Sequence, residues 1–167
     1  MKNKKIIIPI IMIILILIIG LFIFISKDDS DNSKFNNDYN VQVPKGTSIV
    51  YLNENDLITA FDTEDKLIFL GNSSSEKTKK AVIVLLKVAK DNGIDKIYYY
   101  DLNNIDEKTE LKNKLLEKMS QKKLESPTLF LIKDKKVEDI QTGISNDMET
   151  KYEDIMIAYI MCNTPDC

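Results

Sequence analysis

The sequence predicts an α/β domain, a central mixed sheet flanked by helices, preceded by one transmembrane helix. Three observations predict it. An unbroken apolar run, Ile6 to Ile25, lies near the start of the chain. From Ser48 onward, short runs rich in Ile, Val, Leu and Tyr alternate with segments whose apolar residues recur at helical spacing. Late in the chain, two such runs flank Asp134-Lys135-Lys136, which reads as a hairpin.

The apolar run would span about 30 Å as a helix, the thickness of a bilayer's hydrocarbon core. Lys2, Lys4 and Lys5 precede it and no charge lies within it. Phe24-Ile25-Ser26 is a poor match to a cleavage site, so the expectation is an uncleaved signal anchor. Residues 1–5 then form a cytoplasmic N-terminus, residues 6–26 the transmembrane anchor, and everything later lies outside the cell. Pro9 sits in the first turn and Gly20 is tolerated in a membrane helix.

Three of the 23 lysines precede the run, leaving 20 against 26 acids, a net charge of −6 on the exported part. That balance argues against nucleic acid as a partner. The chain has no His, Arg or Trp. Without His it lacks the commonest general base near neutral pH and the commonest metal ligand. Two thiols do not complete a structural zinc site. Hydrolase triads, metals and cofactors are therefore not expected. Abundant Ile, Lys and Asn with no Arg suggest an AT-rich bacterial genome.

Residues 27–45 are polar and Asp/Asn-rich, with scattered apolar positions. They are expected to form a flexible linker with a reach of roughly 25 Å, because so little apolar surface does not offset the entropy of ordering. Residues 46–167 form the predicted folded domain. Ser48 to Tyr51 reads as a strand. Glu54 to Asp65 reads as a helix behind Asn53, a residue suited to the N-cap. Lys66 to Leu70 is the second strand. Glu76 to Asp91 is the longest helix, stopped by Asn92-Gly93. Asp95 to Asp101, with Tyr98, Tyr99 and Tyr100, is a strand of high β propensity. Asp106 to Met119 is helical, Thr128 to Lys133 and Val137 to Gln141 are strands, and Ser145 caps a last helix. The order is β-α-β-α-β-α-β-β-α.

That order, together with three local words, resembles thioredoxin. Ser75-Glu-Lys-Thr-Lys-Lys80 is similar to the family's C-x-x-C-K helix start, with Ser75 and Thr78 at the cysteine positions. Lys96 to Leu102 resembles its third strand. Ser126-Pro-Thr-Leu-Phe-Leu-Ile132 is similar to its cis-proline loop and following strand. The resemblance spans about residues 46–162, and the anchored arrangement also resembles exported Gram-positive members, some described as bacteriocin-transport accessory proteins. It implies a cis Pro127 close to the Ser75 turn, and a loop formed by Ser126, Pro127 and Thr128 that pairs with extended peptide. It also exposes departures. Phe69 stands where many members carry a buried acid, and Ile83 where many carry a kinking proline.

A hydroxyl is far too weak an acid to replace a thiolate, so no catalytic residue is expected at Ser75 or Thr78. Helix capping explains the local serines: Ser73-x-x-Glu76 fits a capping box, and Ser75 fits a cap one register later. Pro127 either keeps a peptide-docking edge or only shapes the fold. The three tyrosines read as ordinary packing. Cys162 and Cys167, the only thiols, suit a disulfide outside the cell that staples the chain end. The rival is a displaced redox pair. The sequence thus reads as a membrane-anchored, extracytoplasmic, redox-inactive module that binds a peptide or protein. The alternative is a thiol–disulfide oxidoreductase using Cys162 and Cys167, and a third reading is a subunit packed against other membrane proteins.

Overall fold

The computed structural model describes residues 30–162, apart from residues 64 and 104. The predicted anchor at 6–26, the flanking segments and Cys167 lie outside the described residues. Among those described, no helix is long and apolar enough to cross a membrane.

Helix α1 covers residues 30–39. It is followed by β1 (Ser48–Tyr51), α2 (Glu54–Ala60), β2 (Lys66–Gly71), α3 (Glu76–Asp91) and β3 (Lys96–Asp101). A 3-10 turn (Ile105–Glu107) leads to α4 (Thr109–Lys118), then β4 (Thr128–Lys133), β5 (Lys136–Thr142) and α5 (Met148–Cys162). The five strands lie in the order β1-β3-β2-β4-β5. β3 pairs in parallel with β1 and β2, while β4 runs antiparallel to both β2 and β5.

Strand periodicity divides the core in two. On one face, Leu67 and Phe69 of β2 pack with Phe35 and Tyr39 of α1, Val82 and Leu85 of α3, and Tyr152 and Ile155 of α5. On the other, Ile68 and Leu70 meet Leu57 and Phe61 beside α2 and Leu111 and Leu115 of α4. Tyr99 and Tyr100 go to opposite faces for the same reason. The helix boundaries follow local chemistry. The Asn53 side chain accepts from the Asp56 N–H at 2.9 Å to start α2. After α3, Gly93 takes φ +65°, a conformation that glycine adopts without a Cβ clash. The β4–β5 turn places Asp134 and Lys135 at φ 49° and 65°, the signature of the tight hairpin whose twist matches its strands.

Residues 27–45 are not simply a tether: from residue 30 onward they belong to the folded body. Phe35, Tyr39 and Val43 are buried, Phe35 completely. The loop after α1 is pinned because the Asn36 side chain accepts from the Val43 N–H at 2.8 Å. The physical reason lies at the sheet edge. β1 has a partner on one side only, so its outward N–H and C=O groups would stand unpaired. Asn32 accepts from the Ile49 N–H at 2.7 Å and donates to the Thr47 carbonyl at 3.1 Å. Asp31 accepts from the Tyr51 N–H at 3.0 Å. Two polar side chains thus stand in for a neighbouring strand, while Phe35 between them and Tyr39 fills the core.

Several boundaries differ from expectation: helix α2 ends at Ala60 instead of running to Asp65, and β5 starts at Lys136, inside the expected turn. The segment after Leu102 begins as a 3-10 turn, so the α-helix starts at Thr109. The last helix starts at Met148, whose N–H bonds the Ser145 carbonyl in the preceding turn.

Candidate functional site

β2 ends at Gly71 and the chain turns through Asn72, Ser73 and Ser74 into α3. Ser75 is the N-cap, its hydroxyl facing the Thr78 N–H at 3.5 Å and its carbonyl accepting from Lys79. The Asn72 side chain accepts from the Ser74 N–H at 2.9 Å, closing the turn. Ser73, the other candidate cap, does something else. Its hydroxyl donates to Asp101 at the end of β3 at 2.7 Å, and Asn103 donates to both groups, at 2.6 Å to the hydroxyl and 3.2 Å to the carboxylate. This clamp of Ser73, Asp101 and Asn103 fixes the turn to the neighbouring strand. The Glu76 carboxyl is held below the usual carboxylate range by the hydrogen bond and charge of Lys79.

Thr78, at the second cysteine-like position, is fully buried. Its hydroxyl shares a 2.9 Å hydrogen bond with that of Ser126. The peptide bond from Ser126 to Pro127 is cis, and so the proline loop and the Ser75 turn meet as the resemblance implied. Thr128 is buried and its hydroxyl donates to the Glu125 carbonyl at 2.8 Å. The Pro127 carbonyl accepts from the Gly143 N–H at 2.7 Å, which ties the loop to the end of β5. Beside this loop runs a shallow groove of about 390 Å³, bounded by Lys77, Lys123, Glu125, Ser126, Gly143 and Ile144. Gly143 takes φ +68°, and a Cβ there would lie 3.0 Å from the Glu125 carboxylate.

Beneath the turn the interior is aromatic. Phe69 is fully buried and stacks on Tyr99 at 6.1 Å between ring centroids. The Tyr99 and Tyr39 hydroxyls share a 2.6 Å hydrogen bond, and burial pushes both phenols well above their ordinary range. They are neutral at physiological pH and accept no proton. Gly71 leaves the room they need: a Cβ there would sit 2.6 Å from the Tyr39 hydroxyl, 2.9 Å from the Tyr99 ring and 3.0 Å from the Thr78 methyl. Neither the Tyr39–Tyr99 pair nor the Ser73 clamp was identified from sequence. The aspartate ending the third strand was the only written sign of the clamp, and nothing in the spacing pointed to the tyrosine pair.

Cys162 ends α5 and is half-buried; its expected pairing with Cys167 lies outside the described residues. One turn earlier, burial and the charges of Asp95 and Asp65 push Tyr159 up to about 12. Asp95 and Asp65 precede β3 and β2, whereas Ser75 follows the opposite end of β2. Cys162, one turn beyond Tyr159, thus lies toward the end of the sheet opposite the Ser75 turn. Among the described residues, no group of His, Cys, Asp and Glu is placed to hold a metal ion.

No protein-family profile and no curated protein matches the chain by sequence. Several solved structures align with it at low identity. A protein described as having a thioredoxin fold aligns with TM-score 0.49 and 12% identity, over 67% of this chain and 93% of its own. The oxidised thioredoxin of Plasmodium falciparum gives 0.46 and 13%, over 67% and 98%. Desulfothioredoxin from Desulfovibrio vulgaris Hildenborough gives 0.45 and 19%, over 65% and 96%. The fold is thioredoxin-like. That statement rests on this chain's own strand order, its parallel and antiparallel pairings and the cis-proline loop beside the start of α3.

Proposed function

We propose that this protein is a membrane-anchored, extracytoplasmic thioredoxin-like module that binds an extended peptide or protein segment and carries out no thiol chemistry at the Ser75 turn. One observation carries the reading. The two positions that would hold cysteines hold hydroxyls already committed to structure, Ser75 to capping α3 and Thr78 to the buried bond with Ser126. The base position is an aromatic ring, and the nearby phenols stay protonated. What remains is a cis-proline loop beside a groove, where an extended segment can add by backbone pairing. Among the described residues, the Ser126 N–H and C=O take no hydrogen-bond partner.

The deciding experiment is insulin reduction by the exported portion. No turnover is expected in the natural sequence, and Ser75→Cys with Thr78→Cys is needed before any appears. Turnover in the unmodified protein that is lost in Cys162→Ser would replace this reading with an oxidoreductase working through Cys162 and Cys167. The anchor has its own test. Protease added to intact protoplasts should digest a C-terminal tag, and protection of that tag refutes the orientation.

A further inference from the structure

We infer that the groove beside Pro127 takes an acidic extended peptide, whose carboxylates are read by Lys77 and Lys123. The inference rests on the docking reading above and adds the chemistry of the ligand. Two lysines and one glutamate line the groove, a net positive charge although the exported part as a whole is net negative. Lys77 is exposed at the first turn of α3 and makes no ion pair among the described residues. Helix N-terminal amides beside it add positive potential, which favours the same ligand charge. Opposite, Lys123 is paired at 3.1 Å with Glu125, and that carboxylate lies over Gly143 at the groove floor. Glu125 thus occupies the kind of contact a ligand carboxylate would make, as an internal competitor. Ile144, 46% exposed, offers an apolar surface for an alternate side chain of the same strand. A strand whose acidic and apolar residues alternate therefore matches the groove in charge and in period.

The test uses the full chain in lipid nanodiscs with two fluorescein-labelled peptides, one alternating Asp and Val, the other its Asn/Val isostere. Two exposed ion pairs correspond to a preference on the order of ten-fold for the acidic peptide at low salt, shrinking as ionic strength rises. Lys77→Gln with Lys123→Gln should abolish the preference. Glu125→Gln should strengthen acidic binding, a gain that misfolding does not produce. A benzophenone side chain in place of Ile144 should cross-link the bound peptide. Equal affinity and equal cross-linking of both peptides overturn the charge inference and leave the docking reading standing. Absence of cross-linking by either peptide overturns both. A preference that survives the double lysine substitution also overturns the inference, because the charge is then read elsewhere.

Discussion

Phe35→Ala tests whether residues 30–45 are structure or tether. The ring is fully buried, with centroids of Tyr39, Tyr99 and Tyr51 at 4.8, 5.1 and 6.5 Å. Truncating a buried phenylalanine costs about 3–5 kcal/mol, from lost transfer energy and the cavity left behind. The site has little freedom to collapse, because Asp31 and Asn32 hold α1 against β1 by hydrogen bonds. A value of about 4 kcal/mol is therefore expected. With an unfolding entropy near 2.1 cal/mol/K per residue, a body of about 130 residues loses roughly 15 °C of Tm for that amount. Thermal and urea unfolding of residues 27–167, followed by circular dichroism, measures it. A tether residue would change stability by no more than about 0.5 kcal/mol. A Phe35→Ala protein within that margin of the natural one would refute the placement of α1 in the core. Asn32→Ala supports the same test from the polar side and should cost about 1–2 kcal/mol, since it removes the partner of the Ile49 N–H in β1 and of the Thr47 carbonyl just before it.

Three further outcomes follow from the core. Gly71→Ala should destabilise by about 1–3 kcal/mol in urea unfolding, because its methyl group meets packed Tyr39, Tyr99 and Thr78; an unchanged midpoint contradicts the packing. Tyr152→Phe should be neutral or stabilising by about 1 kcal/mol, since the buried Tyr152 hydroxyl has no hydrogen-bond partner among the described residues; a loss of stability would reveal a partner. Burial raises the folded-state pKa of Tyr39, Tyr99 and Tyr152, so the protein holds those protons longer than the unfolded chain does. Stability is then fully present below the unfolded value of about 10 and falls as pH rises above it. Tyrosinate absorbance and circular dichroism should change together; ionisation of all seven tyrosines near pH 10 with the fold intact would refute the burial.

How far the sequence could be read varies along the chain, and the variation has causes. Elements with their own periodicity and punctuation were legible. The run Lys66 to Leu70 became β2, Asn92-Gly93 ended α3, and Ser126-Pro127 lay beside Thr78. Helix α1 was not legible because Asp and Asn are poor helix formers and only Phe35 and Tyr39 mark an apolar stripe. Its stability comes from pairing a sheet edge nearly twenty residues away, which no local window contains. The Tyr39–Tyr99 hydrogen bond joins residues 60 apart and was hidden for the same reason. At the site, Ser75 was correctly read as a cap, whereas Ser73 was taken from that role by Asp101, an acceptor supplied by another strand.

The early start of the folded body also changes the mechanics of anchoring. If residues 6–26 sit in the bilayer, only residues 27–29 separate the membrane from α1. Three residues span at most about 11 Å even when fully extended, against the roughly 25 Å reach of a free nineteen-residue coil. A leash that short would confine the domain to a thin layer at the bilayer surface and restrict its tumbling. A partner embedded in the same membrane would meet the groove at a high effective concentration, so even weak contacts would be well occupied there. The same contacts to a freely diffusing partner would be largely empty.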